Sequence, residues 1–77
     1  MITYEEFKKS VIDEIKNCPK DWRKGQAVFN IIDEMYGVAR EVQFIDRVDC
    51  FYNDDEDVID LFMTKCWLRL AAFDNAI

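Results

Sequence analysis

The chain has 77 residues, with 16 acidic against 10 basic side chains, a formal charge of −6, 51% hydrophobic residues and few breakers. Such a length and apolar content fit one helical domain, 1–77, and exclude a low-complexity tail, which lacks the apolar side chains that offset ordering entropy. The acidic balance argues against direct nucleic-acid binding, which draws on surplus Lys and Arg to displace counterions.

Thr3 and Glu6 stand at capping-box spacing, where each side chain satisfies the other's backbone donor. Tyr4, Phe7, Val11, Ile15 and Cys18 then recur on one helical face, and Pro19 bars continuation. The first helix is predicted at about 4–17. A second apolar stripe, Gly25, Val28, Phe29, Ile32, Met35 and Tyr36, predicts a helix at about 20–36. Gly37 sits where a left-handed closing residue belongs. Gly25 inside the helix costs up to about 1 kcal/mol against alanine and suggests close approach of another helix.

Val38, Val42 and Ile45 fit a short helix at about 38–45, although the alternation of Val48, Cys50 and Tyr52 also suits extended chain or a small two-stranded element. The short helix followed by an extended acidic-aromatic loop is the favoured reading. Asn53 reads as an N-cap, with Asp54, Asp55, Glu56 and Asp57 in the next turn, facing the positive end of the helix dipole. Ile59, Phe62, Met63, Cys66, Trp67, Leu70 and Phe73 continue the last helix to about 73. The fold class is therefore all-α, a small bundle of three to four helices.

Charge is unevenly placed. Through Lys24 there are six basic and five acidic residues; from Gly25 onward there are four basic and eleven acidic, so 4 − 11 = −7. Asp54, Asp55, Glu56, Asp57 and Asp60 put five carboxylates in seven positions. As a calcium loop counted from Asn53 they fail, since the sixth and twelfth positions are Val58 and Thr64 rather than glycine and glutamate. The cluster, with Phe51 and Tyr52 beside it, reads either as helix-end complementarity or as a docking patch for a basic protein surface.

A second constellation is the row Arg23, Gln26, Asn30 and Asp33 on helix two, set against Asp49 and the loop behind it. The row either clamps that loop or lines a ligand-binding surface. Catalytic sets are poor: histidine is absent, Ser10 has no motif around it, and no glycine-rich loop cradles phosphate. No enzyme activity and no cofactor or metal are expected. Cys18, Cys50 and Cys66 lack zinc or disulfide spacing and read as reduced thiols of a cytosolic protein. No signal peptide or membrane span is visible.

Trp22-Arg23-Lys24-Gly25-Gln26-Ala27-Val28-Phe29-Asn30, followed by Asp49-Cys50-Phe51-Tyr52-Asn53-Asp54, resembles a family of small uncharacterised phage and bacterial proteins. Its pattern is R-x-G-Q-A-x-F-N, then D-C/P-F-Y-x-D, then a terminal amphipathic helix. The resemblance covers about residues 20–70. It implies a setting in tailed phages, prophages or gut bacteria, hence host cytoplasm if phage-encoded, and implies no established activity. Its motif residues are Arg23, Gly25, Gln26, Phe29, Asn30, Asp49, Phe51, Tyr52 and Asp54.

The expected function is protein binding, as a host-takeover or anti-defence inhibitor that docks Asp54–Asp60, Phe51 and Tyr52 on a basic partner. The alternatives are a small-molecule or nucleotide binder using the polar face of helix two, and a purely structural homo-oligomer. An apolar surplus for so small a chain favours a docking patch or self-association.

Overall fold

The capping box at the start of the chain is closed: Thr3 Oγ1 accepts from the Glu6 amide and Glu6 Oε1 from the Thr3 amide, both at 3.1 Å. These bonds hold the Glu6 carboxyl below its ordinary range, the Thr3 backbone donor being the main cause. They open α1, Tyr4–Ile15, in the computed structural model, which describes residues 2–75. The helix ends two residues sooner than the apolar periodicity predicts. Ahead of Pro19 its last turn tightens into shorter bonds, Asn17 N–H to Glu14 O and Cys18 N–H to Ile15 O, each 3.0 Å.

A turn from Pro19 to Trp22, closed by a 3.2 Å bond, then reverses the chain, so α2 spans Lys24–Tyr36 rather than beginning at 20. It ends as its glycine predicts: Gly37 has φ 71° and donates to the Ile32 and Asp33 carbonyls. The short third helix is composite. One α-helical turn, α3 (Ala39–Glu41), runs into a π-helical turn, Val42–Asp46. Arg47, left-handed at φ 57°, closes that turn by donating to the Val42 carbonyl. The extra residue in the π turn keeps Val42 buried and turns Phe44 and Ile45 outward.

The loop that follows leads into α4, Glu56–Asn75. Its cap is Asp55, not Asn53: Asp55 Oδ1 accepts from the Asp57 amide at 2.9 Å. No strand forms among the described residues, so the molecule is the all-α bundle that the sequence indicates.

Phe7 and Val11 of α1, Val28 and Ile32 of α2, Ala39 and Val42, loop residue Cys50, and Ile59, Phe62 and Cys66 of α4 are all fully buried. Among the described residues, no charged or polar side chain is buried with them. At the margin of this core Arg69 forks onto Asp46, with Nε–Oδ2 3.1 Å and Nη2–Oδ1 3.0 Å, and pins the π turn to α4. That hydrogen bond also raises the Arg69 guanidinium above its ordinary pKa. Trp67 Nε1 donates to the Ile2 carbonyl at 3.1 Å and ties the start of the chain to the same helix.

Candidate functional site

The loop between the π turn and α4 is built around a tight turn, Cys50 to Asn53, closed by the Asn53 amide on the Cys50 carbonyl at 3.0 Å. Asp49 prepares it: Oδ1 accepts from the Phe51 amide at 2.9 Å and Oδ2 from Gln43 Nε2 at 3.1 Å. At the corner Phe51 turns inward and Tyr52 outward. Phe51 meets Phe29 edge-on at 5.5 Å, and Phe29 stacks on Phe62 at 5.6 Å, so an aromatic chain runs from core to surface.

The turn lies directly on the start of α2. The Gly25 amide donates to the Asn53 carbonyl at 2.9 Å, and the Cys50 thiol lies 3.4 Å from the Gly25 carbonyl oxygen. A Cβ at position 25 would stand 1.7 Å from the Cys50 carbonyl oxygen and 2.6 Å from that of Asn53. The glycine is required by loop backbone, not by a neighbouring helix as its place in the apolar stripe suggests. The two motif blocks at 23–30 and 49–54 thus meet in space.

Next, the acidic run divides its labour. Asp54 reaches back to α2, accepting from the Lys24 amide at 3.1 Å through one oxygen and from Arg23 at 3.1 Å through the other. Asp55 caps α4. Two helix N-termini, each with unsatisfied donors and a positive end, converge on consecutive aspartates. Glu56 pairs with Lys24, and Asp60 with Lys8 at 3.4 Å. Asp55 and Asp57 enter no ion pair among the described residues.

The polar row of α2 does not act as one unit. Arg23 holds Asp54, whereas Asp33 pairs with Arg40 at 3.5 Å, away from the loop. Gln26 and Asn30 make no side-chain hydrogen bond among the described residues.

Phe44 and Ile45 were not apparent as site residues in the sequence. They are 75% and 67% exposed, and Tyr52 is 77% exposed. Phe44 and Tyr52 flank a cleft of about 290 Å³ whose other walls are Phe29, Phe51, Arg40 and Gln43. The available signal was the adjacent pair Phe44-Ile45 two residues after Val42: a helix burying Val42 cannot bury both. A larger groove, about 650 Å³, lies between Tyr36–Val38 and Leu70–Phe73. Glu41 and Arg69, which line it, are paired with each other at 3.5 Å. Among the described residues, no three His, Cys, Asp or Glu side chains gather as a metal-ligand set, and no helix is long and apolar enough to cross a membrane.

Burial pushes the Cys50 and Cys66 thiols up to about 12, with Asp49 adding to the effect at Cys50. Cys18 is only partly buried and is raised by desolvation first, then by Glu14 and Glu34. A disulfide-exchange reagent at mildly alkaline pH should therefore titrate Cys18 alone in the folded chain and all three thiols after unfolding. Because the unfolded chain ionises Cys50 and Cys66 more readily, their contribution to stability is complete below about pH 9 and is lost as pH rises toward 12. Thermal melts across that range test the sign. No protein-family model, curated protein or solved structure matches the chain.

Proposed function

We propose that the protein acts by binding another protein, and that the outward face of the 44–57 segment is its docking surface. The observation that carries this reading is the exposure of Phe44 and Tyr52 on two adjoining segments, at the edges of a cleft whose other walls include Phe29 and Phe51, with the exposed Ile45 next to Phe44 in the chain. Exposed apolar side chains gathered on one surface favour a partner, and central aromatics are frequent anchors in protein interfaces. Asp55 and Asp57 lie beside the patch in the chain, and the net charge is −6, so a basic partner surface suits it. Asp54, Glu56 and Asp60 are set aside from the docking role, because their charges are already met within the fold.

The resemblance of the two motif blocks to small phage and bacterial proteins suits an inhibitor that masks a host surface, in the manner of a takeover or anti-defence factor. The test is affinity capture from a bacterial lysate at low salt, comparing the wild-type chain with a Tyr52→Ser, Asp55→Asn, Asp57→Asn variant. Asparagine keeps the capping oxygen at position 55. Loss of the captured basic protein is the expected result. An identical capture profile from the folded variant overturns the reading.

A further inference from the structure

A second feature of the surface has no part in that reading. Between the end of α1 and the start of α2 lies a cavity of about 290 Å³, lined by Ile15, Cys18, Pro19, Trp22 and Ala27 together with Lys16, Lys20 and Lys24. Three of the ten basic side chains of a net-acidic molecule therefore gather around one apolar hollow. Lys24 is engaged by Glu56. Lys16 reaches Asp13 only at 4.0 Å with its side chain 76% exposed, and Lys20 makes no ion pair among the described residues. Lysines just past the end of α1 do favour its negative pole. That role does not account for Trp22 being left half-open over a hollow.

The hollow falls just below the range of about 300–1,000 Å³ typical of small-molecule pockets. It suits a single side chain better than a cofactor. Its charged lining residues are all lysines, so its occupant should be an apolar anchor flanked by carboxylates. The chain itself carries one: Tyr52 projects from the Cys50–Asn53 turn, with Asp55 and Asp57, which enter no ion pair among the described residues, a few residues on.

We propose that the lysine-rimmed hollow receives the Tyr52 turn of a second copy of the chain, with Asp55 and Asp57 of one copy facing Lys16 and Lys20 of the other. Knob and hollow lie on either side of one seam, since Arg23 and Lys24 beside the hollow hold Asp54 and Glu56 beside the knob. In the proposed dimer a two-fold axis near this seam lets each copy give its turn and receive the other's. This inference rests on the reading of the Tyr52–Asp57 segment as a docking element, and takes the basic partner surface to be the chain's own.

The test is a charge-swap pair followed by sedimentation velocity at low ionic strength, with circular dichroism showing that each variant is folded. Wild type should self-associate, more weakly as salt is added. Lys20→Glu and Asp57→Lys should each weaken homodimerisation by about tenfold or more, because each places two like-charge contacts across the axis. An equimolar mixture of the two should recover association, since the mixed dimer contains one native pair and one reversed pair. Tyr52→Ser should weaken the wild-type dimer without altering the swap logic.

Wild type that stays monomeric to about 1 mM overturns the inference. So do single swaps without effect, a mixture that fails to recover, or a silent Tyr52→Ser. If the wild type is monomeric while capture of a basic protein still needs Tyr52, Asp55 and Asp57, self-docking falls and the docking surface stands. If neither occurs, both fall.

Discussion

Gly25→Ala is expected to lower the unfolding free energy by about 3 kcal/mol, against the gain of about 1 kcal/mol that alanine brings inside an ordinary helix. The sign reverses because the atoms in the way are backbone. The Cys50 carbonyl oxygen, 1.7 Å from the added Cβ, cannot swing aside as a side-chain tip would. Relief requires the whole turn to lift from α2, which breaks the Gly25–Asn53 bond and withdraws Asp54 from the Lys24 amide. Urea titration of the two proteins measures the change, and an unchanged or raised midpoint would sink this account of the glycine. Tyr52, which the turn carries, should lose its place at the same time, so docking by the variant should weaken even where it remains folded.

Phe62→Ala should cost about 4 kcal/mol, the loss expected for a fully buried aromatic that leaves a cavity. A chain of this size has roughly 4–12 kcal/mol in all, so the variant should be close to unfolding at 37 °C. Its effect should also reach the surface. Phe29 rests on Phe62 at 5.6 Å and Phe51 on Phe29 at 5.5 Å, so the cavity removes the base of the stack beneath Tyr52. Phe62→Leu, which keeps most of the volume, should cost markedly less. A Phe62→Ala midpoint close to wild type would mean that the stack closes over the gap.

Local signals were the legible ones. The Thr3–Glu6 box and the Gly37 terminus are written in neighbouring residues, and both form as the spacing predicts. The last helix, with its long apolar stripe, was legible except at its ends. What escaped the sequence depends on partners far along the chain. Nothing near Gly25 points to Cys50, so a glycine in an apolar stripe reads as helix contact. Asn53 has a capping side chain, yet its carbonyl is drawn to α2 and the cap passes to Asp55.

Helix two reads from residue 20 because Lys20–Trp22 have no strong breaker, but reversing the chain after Pro19 takes those residues into a turn. The π turn is likewise invisible to a 3.6-residue periodicity, and with it went the outward placement of Phe44 and Ile45. Of the site, the aromatic-acidic loop was legible as a place. The division of its carboxylates between internal caps and open surface was not, because it is fixed by two helix ends that only the folded chain brings together.

That convergence has a kinetic consequence. The donors at the start of α2 are matched by Asn53 and Asp54, about thirty residues later, so the first turn of that helix cannot be completed by local chain alone. It must wait for loop closure and the arrival of α4, whereas α1 carries its own cap and can form early. The Lys24 and Gly25 amides then share their protection with the loop: they open when it opens, and native-state hydrogen exchange would group them with Asn53 and the α4 start rather than with the rest of their own helix.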